Sequence, residues 1–167
     1  MGSVRQDIVI DARPEQVWAA LRDVGAVHRR LLPGRVLDAV IEGDVRTLLM
    51  PDGHRVEELI LDIDDDARRL AYCVIAGARP TLRHHSASFQ VFPIGDQQSR
   101  LVWVTDFLPN EVAGLIRARM EVGAVEMKQA LEGHAPDEAD RPAPPTRHLG
   151  SGIAGGADSE GATHRGP

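Results

Sequence analysis

Apolar positions along the chain change period twice, which divides it into a helical entry, a run of strands and a long closing helix. Residues 4–10 are rich in β-branched side chains, alternate poorly, and are expected to form a strand. Pro14 suits the first turn of a helix, where its missing N–H costs nothing, and Val17, Trp18, Leu21 and Val24 then recur at helical spacing. Gly25 breaks that helix, and residues 26–32 form a second short one that ends at Pro33 and Gly34. From Val36 the pattern becomes strand-like. Residues 36–42, 45–50, 54–62, 70–75, 82–92 and 100–108 read as strands, separated by Gly43–Asp44, by the turn at 51–53, by the acid run 64–68, by Gly77 to Pro80 and by the turn at 93–96. After Pro109 the period lengthens again. Val112, Ile116, Met120, Gly123, Met127, Ala130 and Leu131 fall on one face of a helix of roughly 22 residues, about 33 Å long. Asn110 is the expected N-cap, Glu111 favours the positive end of the helix dipole, and Gly133 is placed to stop the helix.

Strands in succession imply an antiparallel sheet, and helices segregated to the two ends imply an α+β domain in which the sheet curls around the last helix. Residues 1–133 make up this domain. Residues 134–167 are dominated by Gly, Pro, Ala, Ser and Asp, with only Leu149 and Ile153 as sizeable apolar residues. Such a segment cannot bury enough surface to offset its ordering entropy, so a disordered tail is expected. Gly150, Gly152 and Gly155 match the dinucleotide fingerprint in form only, because neither the strand nor the helix it requires flanks them.

Composition narrows the function classes. The 43% apolar fraction supports a real core, while aromatics are only 4%, so the walls are mainly aliphatic. A formal charge of −6 argues against a nucleic-acid surface. No run approaches a membrane span, and the chain enters its first strand without a secretion-signal pattern. The single Cys73 cannot form an internal disulfide and is expected to be a buried small hydrophobe. A reduced cytoplasmic setting fits these features, as does a monomer or homodimer. The acids at 64–66 lack the spacing of a calcium loop and read as a solvated turn.

The stretch from Ile10 to Asp23, together with Val45 to Gly53, Val56 to Leu59, Arg69 to Tyr72 and Leu101 to Trp103, resembles the START-like, or SRPBCC, superfamily. The likeness is to its branch named for polyketide cyclase/dehydrase and lipid transport, and it runs from Val4 to about Leu131. The resemblance implies a helix-grip fold with a cavity for a hydrophobic ligand between sheet and C-terminal helix. It spans carriers and enzymes alike, so it places a site better than it names its chemistry. Many members carry an aromatic residue in the loop after the first helix, where this chain has His28.

Period two assigns the strand faces. Ala87, Phe89 and Val91 form an apolar set that should face inward, and extending it backwards brings Arg83 and His85 to the same face. His85 would then be a general acid/base or a hydrogen-bond donor to a carbonyl, or, if burial begins only at Ala87, a solvated side chain. His84 points the other way, and with no Cys or third His nearby no metal site is expected. Leu101, Trp103, Thr105 and Phe107 form a second inward set, with Trp103 as pocket wall or plain core and Thr105 as a hydrogen-bonding group. Tyr72 shares a face with Leu70 and Val74. Either Glu57 or Glu58 faces in, and a buried carboxylate would be a catalytic candidate through its raised pKa. On the helix, Ile116, Arg119, Met120, Gly123 and Met127 would meet a ligand, Arg119 either reaching an anionic oxygen or keeping its charge in water.

No nucleophile motif, phosphate loop or metalloprotease motif is present, and no cofactor is expected. Three functions follow: a carrier of a hydrophobic, polyketide-like or lipid-like molecule; a cofactor-free cyclase or dehydratase using His85, with Arg83, Tyr72 or Thr105 orienting a carbonyl; or an interaction module with a filled core. Convergent polar groups inside the cavity favour the second, an apolar wall the first, and a cavity well under ~300 Å³ the third.

Overall fold

The protein is described by a computed structural model over residues 1–133. The tail expected over 134–167, and the glycine pattern within it, lie outside the described residues. Strand β1 (Gly2–Ile10) leads into helix α1 (Pro14–Arg22), a 3-10 turn (Val24–Ala26) and helix α2 (Val27–Arg30). Six strands follow: β2 (Asp38–Glu42), β3 (Val45–Leu49), β4 (Arg55–Asp64), β5 (Arg69–Ala76), β6 (His84–Gly95) and β7 (Gln98–Leu108). A 3-10 turn (Asn110–Val112) then enters helix α3 (Ala113–Gly133). All neighbours pair antiparallel in the order β1-β7-β6-β5-β4-β3-β2. The first strand thus inserts beside the last, and α3 packs on β1 at that end of the curved sheet. This is the α+β arrangement that the order of elements implied and the helix-grip fold that the resemblance implied.

Hydrophobic burial explains the layering. Ile10, Val17, Leu21, Leu70, Leu101 and Met127 are almost fully enclosed in one cluster that joins sheet, α1 and α3, and each such side chain contributes roughly 1.5–3 kcal/mol over its exposed state. A second cluster of Val4, Phe107, Ile116 and Met120 fills the space under the first half of α3. Strand β1 alternates better in burial than in sequence, because polar Gln6 takes an inward slot opposite Trp103. Trp18 Nε1 donates to Asp65 Oδ1 at 2.8 Å, and Arg22 pairs with both oxygens of the same carboxylate. One residue of the acid run therefore anchors α1 to the β4–β5 turn, with its carboxyl held below the ordinary range by those hydrogen bonds.

Three local expectations need correction. Asn110 does not cap α3, which begins at Ala113: it opens the preceding 3-10 turn, whose own N-cap is Pro109, with an extended backbone and no side-chain cap bond. Strand β6 continues through Pro93 to Gly95, because the β6–β7 ladder absorbs an irregularity there instead of turning. Cys73 is only half-buried, since it lies on the face of β5 opposite Tyr72 and near the strand's exposed end.

Candidate functional site

A cavity of about 500 Å³ opens between α3 and the inner face of the sheet. Its apolar wall includes Val36, Leu48, Val56, Val74, Trp103 and Ile116, and its polar groups are Arg35, Asp52, His54, Glu58, Arg79, His85 and Arg119. A small pocket of about 50 Å³ lies behind it, sharing Leu32, Leu48, Glu58 and Trp103 and adding Arg46, Tyr72, Phe89 and Met127. Trp103, shared by the two, ends a ladder of rings on three neighbouring strands whose other members line the small pocket. Tyr72 and Phe89 have centroids 6.3 Å apart, Phe89 and Trp103 5.3 Å apart, both near parallel. Such pairs add roughly 0.5–1.5 kcal/mol beyond area burial.

Beside the ladder, in the lining of the small pocket, sits a buried ion pair. Arg46 on β3 and Glu58 on β4 are direct register partners, joined by an Nε–Oε2 hydrogen bond of 2.8 Å and an Nη2–Oε2 contact of 2.7 Å. Arg46 Nη1 also donates to the Val24 carbonyl at 3.3 Å, and its guanidinium lies 5.2 Å from the centre of the Tyr72 ring. Burial pushes the Glu58 carboxyl above the ordinary carboxylate range, and the charge of Arg46 pulls it back only in part. Burial, aided by the charge of Glu58, also holds the Tyr72 phenol far above its ordinary value, so it remains a protonated donor.

The mouth of the cavity carries the remaining charges. Asp52 pairs with His54 through its Nδ1 and with Arg79 at 2.8 Å, and these contacts hold its carboxyl low, the His54 hydrogen bond most of all. Arg35 pairs with Glu126 of α3 through both Nε and Nη2, which raises the guanidinium further. Arg119 donates to the backbone carbonyl of Arg79. His85 is pushed toward its neutral form, first by burial and then by the charges of His84 and Arg119.

The expected residues divide clearly. His85, Trp103, Ile116 and Arg119 line the large cavity, and Tyr72, Phe89 and Met127 the small one. Arg83 does not join them. Strand β6 begins at His84, so the alternation does not extend back to Arg83, which is exposed and contributes its backbone N–H to the Leu108 carbonyl. Thr105 and Met120 are buried away from both cavities. Gly123 acts indirectly, since a Cβ there would meet the Trp103 ring at 3.2 Å, so its lack of a side chain lets the indole lie against α3. Glu58, not Glu57, faces in, and its partner Arg46 was not foreseen, although counting outward from a turn centred on Asp52 pairs 46 with 58. His28 sits on α2 with its Nε2 3.9 Å from Asp38 and a buried Nδ1. His84 is exposed, its Nε2 2.9 Å from Ser86 Oγ, and no metal-ligating group of three exists among the described residues.

Comparison with known proteins agrees with this geometry. The family model described as polyketide cyclase/dehydrase and lipid transport matches residues 1–134. The chain belongs to this family. Among solved structures, the protein XoxI from Bacillus cereus superposes with a TM-score of 0.68 at 23% identity, covering 80% of this chain and 94% of the other. The ZhuI aromatase/cyclase from Streptomyces sp. R1128 gives 0.63 at 21% identity, covering 79% and 92%. Norcoclaurine synthase from Thalictrum flavum, in complex with dopamine and hydroxybenzaldehyde, gives 0.63 at 18% identity, covering 79% and 84%. At these identities the superpositions establish the fold the family member shares with them. No curated protein matches the sequence. No helix of the described residues is long and apolar enough to cross a membrane.

Proposed function

We propose that this family member holds a hydrophobic small molecule, polyketide-like or lipid-like, in the cavity between its sheet and α3. The observation that carries the reading is the cavity itself. At about 500 Å³ it falls inside the ~300–1,000 Å³ range of small-molecule sites, and its apolar wall includes Trp103, which stacks on Phe89 behind it. A filled-core interaction module does not fit a space of that size. The lone Cys73, with no second cysteine to pair with, suits a reducing cytoplasmic setting. Native mass spectrometry of the full chain tests the proposal: a co-purifying mass of a few hundred daltons, released on denaturation, is expected. A chain that carries no adduct and takes up no aromatic or acyl probe would sink it.

A second reading, a cofactor-free cyclase or dehydratase, is favoured by one observation: His85, held toward its neutral form, lines the cavity together with the cationic Arg119. A neutral His can accept a proton from an acidic carbon or hydroxyl, and Arg119 would steady the enolate oxygen that results. Turnover of a poly-β-ketone surrogate that falls by roughly 10²-fold in His85→Gln would support this reading. No turnover by the unmodified chain would leave carriage alone.

A further inference from the structure

The charged groups around the cavity balance one another with a single exception. Arg35 is paired with Glu126, Arg79 with Asp52, and Glu58 with Arg46. His54 shares the carboxylate of Asp52. Arg119 alone among the cavity's guanidiniums has no carboxylate partner among the described residues; it donates to a neutral carbonyl, that of Arg79. It stands in the same lining as His85, close enough for its charge to disfavour the imidazolium. The mouth therefore presents one uncompensated positive charge beside a neutral ring, while the apolar wall of the cavity is Trp103 and aliphatic side chains such as Leu48, Val56 and Val74.

From this arrangement we infer that the ligand is a flat apolar carboxylic acid, its ring system against Trp103 and the aliphatic wall and its carboxylate at the mouth on Arg119, with His85 donating a second hydrogen bond. The assignment rests on the small-molecule reading above and adds the chemical class of the ligand. A carboxylate there exchanges a neutral acceptor for a charge-assisted one, and such hydrogen bonds are shorter and roughly twice as strong as neutral pairs. An amide or ester of the same shape keeps the apolar contacts and loses that gain. A cationic ligand would meet Arg119 as a like charge, and a wholly apolar one would leave it without a counter-charge. Arg119 is exposed, so the expected preference is moderate, about tenfold.

The test uses a matched pair of probes, 2-naphthoate and 2-naphthamide, titrated into the full chain by calorimetry at neutral pH and low salt. The unmodified chain is expected to bind the acid about tenfold more tightly than the amide. Arg119→Gln should lose that factor for the acid and change the amide by less than about twofold, while Arg117→Gln, on an exposed position of the same helix outside the cavity lining, should change neither. Equal binding of acid and amide, or a preference that survives Arg119→Gln, overturns the carboxylate assignment and leaves the cavity reading standing. Failure of the unmodified chain to bind either probe removes both.

Discussion

Arg46 and Glu58 stand directly opposite each other on β3 and β4, 2.7 Å apart, with only 4% and 6% of their surfaces exposed. A buried pair of this kind is expensive to break and cheap to replace, because removing one partner strands a charge while removing both strands none. Arg46→Met and Glu58→Leu are each expected to cost about 3–5 kcal/mol. The double substitution should recover most of that loss in urea unfolding. Additive losses in the double variant would mean that the two side chains contribute independently and not as a pair.

His85 gives the domain a pH dependence of definite sign. Burial, His84 and Arg119 lower its folded pKa below the ordinary 6.5, so the unfolded chain binds the proton more readily than the native one. The stability this group contributes is present above that ordinary value and is lost as pH falls through the folded pKa. The His85 contribution should therefore decline from about pH 7 toward pH 5, so the unmodified chain should lose more unfolding free energy, or gain less, over that interval than His85→Gln. A histidine ring titration by NMR that places His85 above 6.5 would reverse the sign.

Gly77 begins the loop that carries Arg79 and Pro80 to the cavity mouth. Its φ is +78°, and a Cβ would lie 1.9 Å from the Arg55 carbonyl oxygen on β4. Both the left-handed backbone and the backbone clash oppose any side chain, so Gly77→Ala should lose at least about 2 kcal/mol of stability. A denaturation midpoint unchanged by that substitution would show that the loop can reposition freely.

Truncation after Gly133 tests whether the folding unit ends with α3. Helix α3 extends to Gly133 and the family match to residue 134, and the composition beyond offers little apolar surface to bury. The shortened chain should keep its far-UV spectrum and melt within a few degrees of the full one. A large drop would assign the last 34 residues a packing role.

Much of the architecture was legible because local chemistry and periodicity agree. Pro14, the Gly43–Asp44 turn and the switch from period two to helical spacing after Pro109 each act through backbone conformations that a residue or two decides. His85 and Phe89 were correctly turned inward because alternation holds along the interior of β6. Arg83 was not, since alternation says nothing about where a strand starts.

The sequence by itself determined the order of elements, the α+β class and the strip of residues that faces α3, since these follow from short-range periodicity. Only the tertiary structure decided the charges. On β4, register shifts at Glu57/Glu58 and Ile60/Asp62 interrupt the ladder with β5, so the face taken by Glu58 depends on pairing that no single strand encodes. Arg46 and Glu58 meet across a single hairpin, but whether a guanidinium such as Arg119 is left without a carboxylate depends on which distant segments the fold brings together. Coulomb energy acts through space, and the chain's own order does not record it.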